Sequence, residues 1–204
     1  MDQKTPIAPP CSVPEDPKRQ AILAAAFEVF VTYGFRRSSM EDIARAANMS
    51  RPALYLHFRN KEDMFRSLVE GYYDGASAAM AEALAGQGTP EEVLLAAFRA
   101  KDTEAMSTLL ASPHGAELLD PRATSSGDLI EAGEARLRAH LADWLRAGQG
   151  AGRFAEGIVE DPDALAGAML AALKGLKVPG TPMETYRSGQ EQLARLFGRA
   201  LTPG

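Results

Sequence analysis

The chain has 204 residues, 46% of them apolar, a formal charge of −5 and one cysteine, Cys11. That length holds one compact domain or two small ones, and the apolar share excludes a disordered chain. A lone cysteine excludes an intrachain disulfide, and the negative charge excludes a protein that coats nucleic acid over its whole surface.

Residues 1–16 carry Pro6, Pro9, Pro10 and Pro14 and no signal-like apolar core, so they read as a flexible arm. No apolar run reaches the ~18–20 residues needed to cross a bilayer, so a cytoplasmic protein without membrane attachment is expected. Ala and Leu are abundant and β-branched residues sparse, which favours an all-α fold. Asp16-Pro17 opens a first helix. Its stripe is Ile22, Ala26, Phe30 and Tyr33, widened by Leu23, Phe27 and Val29, and Gly34 stops it. Ser38 and Glu41 fit a capping box for a short second helix that turns Met40, Ile43, Ala44 and Ala47 inward. Asn48 tolerates a left-handed turn, and Ser50 caps a third helix with Pro52 in its first turn.

Asn60 opens a fourth helix to about residue 84, with Met64, Leu68, Tyr72 and Met80 along one side. Thr89-Pro90 starts a helix through about 98, and a shorter one covers 103–111. Residues 112–115 interrupt it and 121–127 form a loop. An amphipathic helix over 128–147 is ended by Gly148 to Gly152. Asp161-Pro162 begins a helix to about 176, and a final helix ends near Leu201. No stretch shows strand alternation.

At 100° per residue, Leu54 and Phe58 share a core face of the third helix. Pro52, Ala53 and Leu56 point the other way, with Arg51 and Tyr55 at the flanks. An ordinary capped helical hairpin gives the same spacing. A DNA major groove gives the outward face a purpose, since it offers thymine methyls to small apolar groups and guanine edges to Arg. Between Glu15 and Arg66 there are nine Lys/Arg against seven Asp/Glu, a mildly basic head on an acidic body.

The run Ala44-Arg45-Ala46-Ala47-Asn48-Met49-Ser50-Arg51-Pro52-Ala53-Leu54-Tyr55-Leu56-His57-Phe58, then Asn60-Lys61-Glu62, resembles the head of the tetracycline-repressor (TetR) family. That family's pattern is roughly I-A-x-x-A-G-V-S-x-x-x-L-Y-x-H-F-x-x-K-E, and the likeness covers about 19–68. Asn48 departs from the usual Gly and Met49 from the usual Val. The resemblance implies an all-α protein of about nine helices whose dimer reads a two-fold DNA site. Residues 17–66 would be the helix-turn-helix domain and 67–204 the ligand-binding and dimerisation domain. It implies a homodimer on a pseudo-palindromic double-stranded operator, a repressor by default, released by a small effector. Carried over by position, Arg51, Pro52, Ala53, Tyr55 and Leu56 form the recognition surface, and Tyr55 and Lys61 grip phosphates. Ser38, Arg45 and Ser50 join the expected DNA-facing set. His57 either reaches a phosphate or completes the packing. Lys18, Arg19, Arg36 and Arg37 add general attraction to DNA or are simply exposed charge.

In the body, the helix holding Leu165, Met169, Leu173 and Leu176 is apolar nearly all round, and the last helix presents Tyr186, Leu193 and Phe197. These are the expected dimer interface, as an intersubunit four-helix bundle. A pocket for a largely apolar effector is expected from Met80, Leu84, Phe98, Met106, Leu110, Leu137, His140, Leu141 and Trp144, although plain core is the commoner role for such residues. His140 is either a satisfied core histidine or the pocket's hydrogen-bonding group. The three histidines form no H-x-x-x-H pair, and no catalytic, metal or cofactor motif occurs, so an enzyme is not expected. The alternative for the body is a surface for a protein partner.

Overall fold

The computed structural model describes residues 16–203. The expected arm, Cys11 included, lies outside them apart from Asp16. Among the described residues there are ten α-helices and no strand. They are α1 (Pro17–Tyr33), α2 (Met40–Ala46), α3 (Arg51–Tyr55), α4 (Lys61–Leu84) and α5 (Pro90–Arg99), followed by α6 (Glu104–Ala111), α7 (Gly115–Leu119), α8 (Gly127–Gly150), α9 (Pro162–Gly175) and α10 (Met183–Leu201). No helix among them is long and apolar enough to cross a membrane.

The chain forms two compact units. The first holds residues up to Gly75 together with Thr103–Glu131; the second holds Ala76–Asp102 and Ala132–Gly204. This differs from the single division after residue 66 read from the sequence. The reason is α7, a helix the sequence reading did not separate. Its Leu118 is buried in the same apolar cluster as Ile22, Phe30, Ile43, Leu54, Phe58 and Met64, with Leu109 of α6 packed on the outside. Each fully buried side chain of this kind contributes roughly 1.5–3 kcal/mol. Phe30, Phe35 and Phe65 form a triangle with centroids 5.2 to 5.6 Å apart, two of its contacts edge-on. Phe35 supplies the aromatic bulk expected from Tyr33, which is exposed at the last turn of α1.

In the second unit α5 packs closely on α10. A Cβ at Gly198 would lie 2.5 Å from Glu91 Cα, so the two backbones meet with only a hydrogen between them. Gly148 does not end α8, which runs on to Gly150. Its bare Cα is covered by the Phe154 ring, which also packs on Trp144 at 4.9 Å. The glycine therefore serves a close approach and costs the helix only its modest intrinsic propensity.

Candidate nucleic-acid interface

The first unit builds its surface from caps. The box at the start of α2 is Ser39 with Asp42, one position later than the expected Ser38 with Glu41. Ser39 Oγ accepts from the Asp42 amide at 3.2 Å, and Asp42 Oδ2 accepts from the Ser39 amide at 3.1 Å. The hydrogen bond from the Ser39 side chain, foremost, holds the Asp42 carboxyl below its usual range. Ser38 is buried instead and donates its hydroxyl to the Gly34 carbonyl at 2.5 Å, which removes it from the expected DNA-facing set.

The turn between α2 and α3 has the geometry its residues dictate. Asn48 takes φ 52°, the Met49 amide donates to Ala44 O at 2.9 Å and the Asn48 amide to Arg45 O at 3.1 Å. These are the two bonds of a Schellman ending, with Asn where glycine is commonest. Met49 then packs on the head core. Ser50 Oγ accepts from the Ala53 amide at 3.3 Å and starts α3, in which Pro52 loses no intrahelical donor.

Leu54 and Phe58 are both buried, but α3 ends at Tyr55, so Phe58 enters the core from the turn after the helix and not from the expected helical face. Leu56 is 85% exposed and Tyr55 43% exposed, beside exposed Arg51 and Pro52 and half-buried Ala53. The Arg51 guanidinium donates to Tyr55 Oη at 3.2 Å and lies 5.6 Å from the ring centroid, so one side chain orients the other. Arg45 is exposed, linked to Asp42 at 3.7 Å, and Arg36 and Arg37 are exposed on the loop before α2. Arg59, which the sequence reading did not single out, is also exposed and pairs with Asp63 at 3.8 Å.

Two cations have other work than the one expected of them. Lys61 Nζ donates to the carbonyls of Phe35, Arg36 and Ser38 at 2.8, 3.2 and 2.9 Å. An ammonium has three N–H groups, so this side chain is saturated by the loop and is not available to grip a phosphate. Arg19 lies 4.1 Å from the Phe58 centroid and donates to His57 O at 3.1 Å and Ser67 Oγ at 3.0 Å. It ties the start of α1 to the turn after α3 and to the second turn of α4, and is not a surface charge. Nothing in the one-dimensional pattern marks either role, because all their partners lie more than twenty positions away. The His57 imidazole is on a half-buried residue.

Arg36 is held from α7: its amide donates to Glu117 Oε1 at 2.9 Å, and its guanidinium lies 3.9 Å from the same oxygen. A hollow of about 240 Å³ beside it is lined by Thr32, Tyr33, Arg37, Asp42 and His114.

Residues 22–68 match the family model described as bacterial regulatory proteins, tetR family. Through this segment, about a quarter of its length, the chain is similar to the tetR family. It is 35% identical over 72 residues to the HTH-type transcriptional activator FasR of Mycolicibacterium smegmatis, covering 35% of this chain and 33% of that protein. It is 43% identical over 51 residues to the HTH-type transcriptional repressor BepR of Brucella suis, covering 25% and 24%. The match thus spans about a third of FasR's length and about a quarter of BepR's. The whole tetR-type fold is shared with the fatty acid degradation regulator FadR from Bacillus halodurans. That likeness has a TM-score of 0.71 at 20% identity, over 90% of this chain and 96% of that one.

The residues expected from the sequence to act beyond this segment are distributed as follows. Met80, Leu84, Phe98, Leu137, Leu141 and Trp144 are buried in the second unit, and Met106 and Leu110 are buried in the first. All eight are packed core. His140 is half-buried, with Nε2 2.8 Å from Ser77 Oγ. Among the expected interface residues, Met169, Leu173 and Tyr186 are buried within their own unit and cannot meet a partner. Leu165, Leu176, Leu193 and Phe197 are half-buried. Leu196, missed in the sequence, is 67% exposed on the same face of α10 as Leu193 and Phe197. Along α9 the exposed residues Ala164, Ala168, Ala171 and Gly175 make a stripe of small side chains. Among the described residues no group of three or more His, Cys, Asp or Glu is disposed to hold a metal ion.

Proposed function

We propose that this protein is a transcriptional regulator that binds a pseudo-palindromic operator as a homodimer, represses by default and responds to a small molecule. The observation that carries the reading is the outward side of α3. An 85% exposed leucine next to Arg51, Pro52 and Tyr55 costs solubility unless something covers it, and a major groove does so. The matching family segment and the regulators named above support the same reading. The mixture of activator and repressor among them makes repression the narrower part of the proposal.

Arg51 reads base edges, Ala53 and Leu56 make apolar contact, and Tyr55, Arg36, Arg37 and Arg45 serve the backbone. Two-fold pairing through Leu193, Leu196 and Phe197 of α10 and the small-residue stripe of α9 would set two such helices for two half-sites. Helix α4 gives residues up to Gly75 to the first unit and the remainder to the second. A ligand preferring one arrangement of the second unit would therefore act on the first through a continuous helix.

The test is a footprint on the DNA flanking the protein's own coding region. Protection of a pseudo-palindrome is expected. Arg51→Ala should relax preference at particular bases, and Tyr55→Ala should weaken binding across sequences. Wild-type footprints from both variants would refute the assignment of α3.

A further inference from the structure

The family-like segment ends at Leu68, yet the first unit is completed by residues far beyond it. Leu118 of α7 enters its apolar core, and residues 112–117 meet the last turn of α1 and the loop that follows. Ser112 Oγ donates to Val31 O at 2.6 Å, and the His114 amide donates back to that Oγ at 3.0 Å. A Cβ at Gly34, where φ is 83°, would lie 2.6 Å from Glu117 Oε2 and 3.1 Å from His114 Nδ1. Gly34 thus admits both side chains against the backbone at the point where the loop leaves the helix.

Within that loop Arg36 is held at both backbone groups. Its N–H donates to Glu117 Oε1 at 2.9 Å and its C=O accepts from Lys61 Nζ at 3.2 Å, while its side chain is 77% exposed. The carbonyls of Phe35 and Ser38 go to the same ammonium, and Arg37 is exposed beside them. A peptide pinned from two sides, with two guanidinium groups left in solvent, presents those groups already ordered, which lowers the entropy lost on binding.

The ion pair between Glu117 and the Arg36 guanidinium does not account for the contact. At 3.9 Å and in solvent it contributes little. A carboxylate next to a phosphate-facing arginine also repels the phosphate that arginine is to meet. The bond to the Arg36 amide is different in kind, because an ionised acceptor makes it one of the stronger hydrogen bonds and it acts on the backbone.

We infer that Glu117 is a positioning residue for DNA: from α7 it fixes the Arg36 peptide so that Arg36 and Arg37 meet the phosphate backbone, without touching DNA itself. This rests on the DNA-binding function proposed above, whereas the holding of the loop does not. Two roles for the carboxylate carry opposite signs. If it is only a negative charge near DNA, removing it strengthens binding; if it anchors the loop, removing it weakens binding. Gln keeps an acceptor oxygen and loses the charge, and Ala loses both.

The experiment measures the full-length protein, over a series of salt concentrations, on two duplexes. One carries the sequence protected in the footprint and the other is a random sequence of equal length. Glu117→Ala should weaken binding to both by a similar factor, about tenfold, and reduce the salt slope by roughly one. Glu117→Gln should bind both at least as tightly as wild type. In a chain already carrying Arg36→Ala and Arg37→Ala, adding Glu117→Ala should change affinity by less than about twofold. Unchanged or tighter binding by Glu117→Ala overturns the inference. So does an equal loss in Glu117→Gln, a loss confined to one duplex, or a full loss in the chain lacking both arginines. If Glu117→Ala fails to fold, hydrogen exchange of the Arg36 amide decides: protection in wild type and Glu117→Gln supports the anchor, and unprotected exchange in wild type overturns it. Random-sequence binding with no protected site sinks the regulator alone. A protected site bound at wild-type affinity by Glu117→Ala sinks the positioning role alone.

Discussion

The ammonium of Lys61 sits where three carbonyls of the loop between α1 and α2 converge, and its position over the Phe35 ring, 4.8 Å from the centroid, adds a fourth attraction. Removing it leaves partly buried carbonyls to find water, a loss of about 1–3 kcal/mol. Urea unfolding of Lys61→Met in the absence of DNA should show that loss, and operator affinity should fall with it because the loop carries Arg36 and Arg37. Unchanged stability with weakened operator binding would return Lys61 to a phosphate-gripping role. A second residue-scale prediction concerns Asp128. Arg66 holds it by two bonds of 2.6 and 2.7 Å, and that hydrogen bond chiefly keeps its carboxyl at about 2. A value depressed on folding means the contribution is complete above about pH 4 and is lost as pH falls through about 2. Thermal melting of Asp128→Asn should differ from wild type at neutral pH and converge with it near the acid end.

At the scale of elements, the ending of α2 can be tested directly. Asn48→Gly should be nearly neutral, since both residues accept φ 52°, and Asn48→Val should cost about 1–2 kcal/mol in chemical denaturation. Equal stability of the two variants would contradict the turn geometry. This turn was legible because its signal is local: Asn48, Ser50 and Pro52 impose their conformations within four residues. The α1, α4, α9 and α10 boundaries and the start of α3 were legible for the same reason, each set by a cap, a proline or a glycine nearby. What escaped the sequence was decided by packing. The five-residue α7 has no side-chain cap and owes its helix to Leu118 entering a core built by α1 to α4. Gly148 looks like a terminator until Phe154 covers it. Periodicity placed Met169 and Leu173 on an apolar helix but could not say whether their own chain or a second copy covers them.

For the whole molecule, pairing is the property most exposed to refutation. Leu196→Glu puts a charge at the centre of the α10 face without touching a buried residue. Sedimentation should show a shift from dimer to monomer, and operator binding should lose affinity steeply because two half-sites are no longer engaged together. A variant that stays dimeric would move the interface off α10.

The crossing at Gly198 carries a consequence of its own. From Glu91 beside Gly198 the α5–α10 pair runs to Arg99, which bonds Glu191 at 2.6 Å, and on to Phe98 and Asp102, which bind Gln190. Eight residues of helix span ~12 Å. A single methyl group at 198 has no room there, so Gly198→Ala should force the two helices apart at this crossing and lower the melting temperature. One hydrogen at position 198 thus sets the spacing on which the Arg99–Glu191 and Asp102–Gln190 bonds, a helix length away, depend.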